Sequence, residues 1–451
     1  MNLDEKNGNK KFKLDEKKEL LKKIRHEIKK KRIFLDESKD KFGFEEFTQL
    51  IKVKNTSEVK GYPFKAYSPK LNEHGIKYGI KIMPVETKYD KKEHPGNLEN
   101  IILKELTDNI VDKNISPHIA YYIGLNKISN KSRSLKMLNL KRLEVEEKIR
   151  THSNMLIAEF AEGGSLDNWI YNTYEFDKEI DDNTWKSIVF QIVYTLAVIQ
   201  YHYKLMHNDF HYGNILIDDT IEPGGYIVYE INGKHFYIPN IGVLPLGWDW
   251  EFSMCYSDKI PESYPNKFII GDHTYDRKTH KTIINKELVV DREDFNVPVN
   301  YNEVYDLHFF LTSLLDLYIS QDLFDWVMKL YPQEVIPENE DSSYSSKSSD
   351  SSNNSDSSGS DSSESELENN SKIETESESF SEIDTETESE TESTISSEIV
   401  YVSEGRLING AEELFDLPTP MKLINDSFFE CFTKKPADFD ESTAIYYKAG
   451  F

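Results

Sequence analysis

The chain has 451 residues, 38% of them hydrophobic and 12% aromatic, enough for two or three globular units with a sizeable core. Its formal charge of −26 is mostly local: residues 338–398 carry 19 acidic side chains against Lys347 and Lys372, a segment charge of −17 that leaves −9 elsewhere. Two cysteines, Cys255 and Cys431, exclude a disulfide framework, and no uncharged apolar run approaches the roughly 20 residues of a membrane helix. The opening MNLDEKNGNKKFKLDEKK lacks the apolar stretch of a signal peptide. The expectation is a cytoplasmic chain, neither secreted nor membrane-spanning.

The first 41 residues are basic, with 15 Lys/Arg against 9 Asp/Glu. Residues 14–33 read as a helix with Leu14, Leu20, Leu21, Ile24, Ile28 and Ile33 at roughly helical spacing. No aromatic residue interleaves the charges of residues 14–33. The preferred reading is therefore a solvated helix packed loosely on the body, over a nucleic-acid or membrane patch. No membrane partner and no specific nucleic acid are expected.

Strand-like runs follow: IKVK, YPFKAYS and YGIKIMPV, with NEHG marking a turn before the third. Residues 97–111 (NLENIILKELTDNIV) have helical periodicity, and the strand MLIAEF ends in the turn-forming AEGGS. Residues 183–203 predict the clearest helix, with Trp185, Ile188, Val189, Ile192, Val193, Leu196 and Ile199 on one wide apolar face. Further helices are expected after Asn302. Strands first and helices later imply a β-rich small lobe joined to a mostly helical large lobe.

Residues 338–398 repeat Ser, Glu, Asp, Thr and Asn with few apolar groups to offset ordering entropy, so disorder is expected. Mixed composition returns from Val400, which makes this stretch an insertion and not a tail. The organisation read from the chain is a basic helical extension (1–45), a small lobe (46–160), a large lobe (161–337), the acidic insert (338–398) and the end of the large lobe (399–451).

The chemistry concentrates in LMHNDFHYGNILID, residues 205–218, where a polar loop between a helix and a short strand presents His207, Asp209, His211 and Asn214. Phosphoryl transfer needs a carboxylate to orient and deprotonate a hydroxyl, and an oxygen ligand nearby for magnesium. Asp209 and Asn214 supply these groups. Downstream, LGWDWEFS places a second carboxylate, Asp249, just after an apolar strand.

These motifs resemble the protein-kinase superfamily. HNDFHYGN is similar to the catalytic loop H-R-D-x-x-x-x-N, and DWE stands in the place of D-F-G. The resemblance implies an α+β, two-lobed protein-kinase-like fold with one main helix in the small lobe. It implies ATP and Mg²⁺ as cofactors and an unknown protein as substrate. Asp209 would be the catalytic base, Asn214 and Asp249 the metal ligands, and His207 a structural brace. Lys81 in YGIKIMP resembles the lysine that holds the α- and β-phosphates, with Glu99 as its helical partner and Glu105 as the rival. LIAEFAEGGSL is similar to the hinge that binds adenine, which would assign the Glu159 carbonyl and the Ala161 amide to the base and Ala158 to the pocket's rear. VYDLHFFLTSLL resembles the helix that anchors the catalytic loop through Asp306. The closest resemblance is to divergent serine/threonine-protein kinase-like proteins of large DNA viruses, which would place the chain in host cytoplasm or virion. The extra segment between Asn214 and Asp249 reads as an added hairpin of the kind found in that group.

The pattern departs from the family in several places. Of the glycine-rich loop, NTSEVKGYPFKA keeps only Gly61, which puts nucleotide affinity in doubt and leaves a pseudokinase binding module as an alternative. Asn208 replaces the usual arginine, Glu251 replaces the glycine after Asp249, and IPES is a weak stand-in for A-P-E. His211, where serine/threonine kinases place a lysine beside the transferred phosphate, also suits choline- or aminoglycoside-kinase-like enzymes, a second alternative. The acidic insert reads either as a solubilising linker or as a set of acceptors for an acidophilic kinase, the chain itself included.

Overall fold

The computed structural model describes residues 11–31, 49–52, 62–67, 76–86, 95–129, 149–176, 178–260, 267–270, 273–276, 281–284, 301–331, 400–401, 407–408 and 417–451. The chain divides into a larger unit, residues 1–336 with 399–451, and a second unit, 337–398. That second unit, and with it the acidic insert, lies outside the described residues, as does Gly61 with the rest of the sparse glycine loop.

The small lobe is an antiparallel sheet of β1 (Gln49–Lys52), β2 (Tyr62–Tyr67), β3 (Lys77–Glu86), β4 (Tyr122–Ser129) and β5 (Ile149–Glu159), in the order β1-β2-β3-β5-β4. Tyr78, Ile80 and Ile82 of β3 are buried on one face, and the period-two pleat sends Lys81 to the other. Helix α2 (Pro95–Leu106) starts with proline at its first position, where the missing N–H costs no intrahelical bond. Its buried stripe of Leu98, Ile102, Leu103 and Leu106 carries Glu99 inward with it. A π-turn, Thr107–Val111, continues α2 to the end of the run predicted as helix.

Helix α1 (Leu14–Lys31) is not loosely packed. Leu14, Leu21, Ile24 and Ile28 are all buried, and so are Lys17 and Lys18. The correction has a physical cause: both lysines find acceptors inside the body, so their charge does not hold the helix away from it.

The large lobe contains α3 (Leu166–Glu175), α4 (Asp182–Tyr203), α5 (Tyr305–Leu314), α6 (Gln321–Leu330) and the short α7 (Pro420–Leu423). Asp181 caps α4 by accepting the Thr184 N–H at 2.9 Å, and Lys204 closes it in the left-handed conformation. The sequence predicts one wide apolar face for α4, but the helix is buried almost all round, Ser187, Gln191 and Thr195 included. The second side is covered by elements distant in sequence. Phe190 packs at ring-centroid distances of 5.0 Å from Phe236, 5.4 Å from Phe429 and 5.7 Å from Phe432.

Short strands β6 (Gly164–Ser165), β7 (Leu205–Met206) and β8 (Ile215–Asp218) lead into the added hairpin of β9 (Tyr226–Ile231) and β10 (Lys234–Pro239). Its two-residue turn, Asn232-Gly233, has positive φ at both positions (50° and 74°), the geometry that Asn-Gly tolerates best. Beyond it lie β11 (Leu244–Gly247), β12 (Met254–Cys255), a meander of β13 (Lys267–Ile270), β14 (His273–Asp276) and β15 (Lys281–Ile284), and the pair β16 (Val400–Tyr401) with β17 (Leu407–Ile408). The terminal strand β18 (Ile445–Lys448) pairs in parallel with β9, which ties the hairpin to the chain's end. Among the described residues, no helix is long and apolar enough to cross a membrane.

Candidate active site

The site forms where β8 and β11 pair. Ile215 faces Gly247, so Asn214, just before β8, and Asp249, two residues after β11, emerge at the same end of the ladder. The Trp248 N–H donates to the Asn214 carbonyl at 3.0 Å and fixes that approach.

The loop between β7 and β8 is held from beneath. Asp306 on α5, fully buried, accepts the His207 N–H at 2.6 Å with one carboxylate oxygen and the Asn208 N–H at 2.9 Å with the other. His207 is fully buried. Its Nε2 donates to the Trp248 carbonyl at 2.8 Å, and its Nδ1 accepts the Asp209 N–H at 3.3 Å. A carbonyl only accepts and an amide N–H only donates, so these partners select the neutral Nε2–H tautomer. Burial pushes its pKa down to about 4, against the pull of Asp209. Asn208 takes the left-handed backbone at φ 65°, which Asn adopts more readily than Arg, and its amide donates to the Phe252 carbonyl at 2.8 Å. The substitution noted in the sequence thus ties the loop to the segment after Asp249.

Asn214 donates through Nδ2 to the Asp209 carbonyl at 2.8 Å and to the Asp209 carboxylate at 3.0 Å. Both partners are acceptors, which fixes the amide's orientation. The Asp209 side chain keeps 19% of its surface exposed, and His211 Nε2 lies 3.9 Å from it. The His211 ring accepts the Gly213 N–H at 3.1 Å, and a Cβ on Gly213 would come within 2.7 Å of that ring. Any larger residue there would have to displace the His211 ring.

Across the site, the Lys81 ammonium lies 3.0 Å from Glu99, 2.5 Å from Asp249 and 3.8 Å from Glu251. Burial works against its charge, but Asp249, Glu99 and Glu251 together outweigh it and raise the Lys81 pKa well above the usual lysine value. Glu99 is fully buried. Desolvation pushes its pKa up, Lys81 pulls it down, and the two neighbouring carboxylates push it further up. Glu105, the rival partner, faces elsewhere and accepts from Asn109 at 2.5 Å and Tyr203 at 2.9 Å. Oxygens of Glu99, Asp249 and Glu251 all lie within 4.8 Å of one another.

The expected adenine segment leaves β5 at Glu159 and turns through Ala161, both buried, with Ala158 fully buried behind. Two features escaped the sequence reading. In the sequence Glu251 stands out as a lost glycine, and its carboxylate two positions after Asp249 is the signal that points to the site. Lys17 was one lysine among many in a basic helix, and no local signal singled it out.

A five-stranded antiparallel small lobe with one main helix, joined to a larger lobe that presents this loop, is a protein-kinase-like fold. No family model matches the chain. A protein of Acanthamoeba polyphaga mimivirus that bears a provisional serine/threonine-protein kinase name is 26% identical over 322 residues, 63% of this chain and 62% of its own length. A second mimivirus protein with the same kind of name is 28% identical over 153 residues, 33% of this chain and 32% of its own. The chain therefore spans less than two thirds of these relatives. Among solved structures, the BubR1 kinase domain aligns over 49% of this chain and 48% of its own at 13% identity, with a TM-score of 0.30. The chain is kinase-like and related to giant-virus proteins of that description.

Proposed function

We propose that the chain is an ATP-dependent phosphotransferase that acts as a serine/threonine-protein kinase. The observation that carries this reading is the Lys81 ammonium, buried in the small-lobe sheet yet held between Glu99 at 3.0 Å and Asp249 at 2.5 Å. In this reading Lys81 binds phosphate oxygens and Glu99 aims it. The acceptor hydroxyl passes its proton to Asp209 while its oxygen bonds to the γ-phosphorus; the bridging P–O bond breaks, and ADP leaves with that electron pair. Asn214 orients the Asp209 carboxylate, and the neutral His207 keeps the loop in register with Trp248.

The donor set fits a hard divalent cation. Asp249, with 30% of its side chain exposed, and the Asn214 amide oxygen would hold Mg²⁺, and three carboxylates beside one ammonium leave a negative surplus for it. When bound, the ion would neutralise charge developing on the phosphate oxygens. A cytoplasmic setting suits the two free cysteines.

The test is transfer of labelled γ-phosphate from ATP with Mg²⁺ to generic acidic and basic proteins. Asp209→Ala should lose about 10²- to 10⁴-fold of the transfer, the usual contribution of a positioned general base. Circular dichroism should be unchanged, because the side chain is part-exposed. Nucleotide binding without transfer to protein would move the acceptor to a small aminoalcohol or sugar-like molecule. Absence of nucleotide binding would make the chain a binding module.

A further inference from the structure

The N-terminal extension ties together three parts of the molecule that the proposed reaction needs aligned. Phe12 forms a parallel bridge with Ile221 of the large lobe: its N–H donates to the Thr220 carbonyl at 2.8 Å, and the Glu222 N–H donates back to its carbonyl at 2.8 Å. One turn into α1, the Lys17 ammonium lies 2.9 Å from the Glu159 carboxylate at the end of β5. It also pairs with Asp218 at the end of β8 and donates to Thr220 Oγ1 at 3.3 Å. Exposure of these side chains is 5% for Lys17, 7% for Glu159 and zero for Asp218. Burial opposes the lysine's charge, but Asp218 and Glu159 raise its pKa above the usual value.

Glu159 opens the stretch that crosses from the small lobe to the large one. Its N–H donates to the Tyr121 carbonyl at 2.9 Å, and its carboxylate accepts the Tyr121 N–H at 3.2 Å. At the far end of the crossing, the Gly163 N–H donates to the Ile217 carbonyl at 2.9 Å. Backbone bonds hold both ends of the crossing, and at the Glu159 end a lysine from a separate helix also holds the side chain. A buried ion pair contributes little net stability over apolar groups of similar size, so stability alone does not account for this arrangement.

We propose that Lys17 is a positioning residue for the nucleotide, acting from behind Glu159 to set the crossing segment whose Glu159 carbonyl and Ala161 amide would meet the base. This rests on the nucleotide reading above. Lys18 supplies the internal control. It is buried on the same helix, but its hydrogen bond goes to Asn114 and not to the crossing segment.

The experiment uses the full chain and four forms: wild type, Lys17→Met, Lys18→Met and the double variant Lys17→Met/Asp218→Asn. Each is read by ATP steady-state kinetics and by amide hydrogen exchange over residues 158–163 without nucleotide. Lys17→Met should raise the KM for ATP about ten-fold, with kcat within about two-fold, the signature of a lost binding contact and not of lost chemistry. Exchange over 158–163 should quicken, and Lys18→Met should leave both readings at wild type. Equal KM shifts in the Lys17 and Lys18 variants, or unchanged exchange in Lys17→Met, would overturn the proposal. If Lys17→Met does not fold, the double variant, which loses one charge of each sign, carries the same expectations. If wild type binds no ATP, the proposed function fails, and exchange over 158–163 still decides whether Lys17 sets that segment.

Discussion

Lys17 and Lys81 are buried to nearly the same degree, 4% and 7% exposed, and each faces carboxylates, yet their surroundings differ in kind. Around Lys17 the acceptors are balanced. Asp218 also takes the Thr220 N–H at 3.1 Å and its hydroxyl at 2.6 Å, and Glu159 takes the Tyr121 N–H, so each carboxylate has a second donor. Lys81 meets three carboxylates, one of them 30% exposed. The first cluster is closed and satisfied; the second is over-supplied with negative charge and open on one side. A buried, satisfied network fixes structure, whereas a crowded and reachable one is poised to accept a cation or to exchange partners.

The largest expected effect breaks the closed cluster. Asp218→Asn removes a fully buried carboxylate and leaves Lys17 with Glu159 as its one carboxylate partner among the described residues. Unfolding in urea should show a loss of about 3 kcal/mol, the lower end for breaking a buried ion pair. A loss below about 1 kcal/mol, within the range of an exposed pair, would show that the Lys17 cluster is no more integrated than a surface contact.

Acid offers a second test, because neither lysine cluster contains a histidine. His118 and His308 are buried, and desolvation pushes the pKa of each down to about 3. Both are neutral in the folded chain and take up protons on unfolding, so their contribution is complete above about pH 6.5 and declines as the pH falls below it. Between about pH 6.5 and pH 5 each should cost about 1.6 kcal/mol of stability. Thermal melts of wild type and Asp218→Asn across that range should fall in parallel. Convergence of the two curves at low pH would mean that the Lys17 cluster itself titrates there.

The two clusters were not equally legible in the sequence. Lys81, Glu99, Asp209, Asn214 and Asp249 could be named because each stands in a short motif or on a helical stripe, and the structure brings them into one place. The choice between Glu99 and Glu105 turned on helix phase alone, which local sequence records. Lys17 carries no such mark, since its partner Asp218 lies 201 positions away and α1 is crowded with lysines. The same limit explains α4: its second buried side is made by the β9–β10 hairpin and residues 427–433, contacts that its own periodicity does not encode.

The smallest predicted effect tests the open cluster through Glu251, the residue that stands where the kinase pattern has glycine. Its carboxylate is attracted by Lys81 at 3.8 Å, but Lys81 is already engaged by Glu99 and Asp249 at shorter range, and Glu251 pushes the Glu99 pKa upward. Glu251→Gln keeps the shape and removes one of three like charges. It should therefore stabilise the fold slightly, seen as a higher urea midpoint for unfolding. On the proposed reading, the same change should raise the Mg²⁺ concentration needed for half-maximal phosphate transfer, because the surplus that favours the cation is smaller. A variant that is destabilised instead would show that Lys81 needs all three carboxylates, and the two clusters would then be alike.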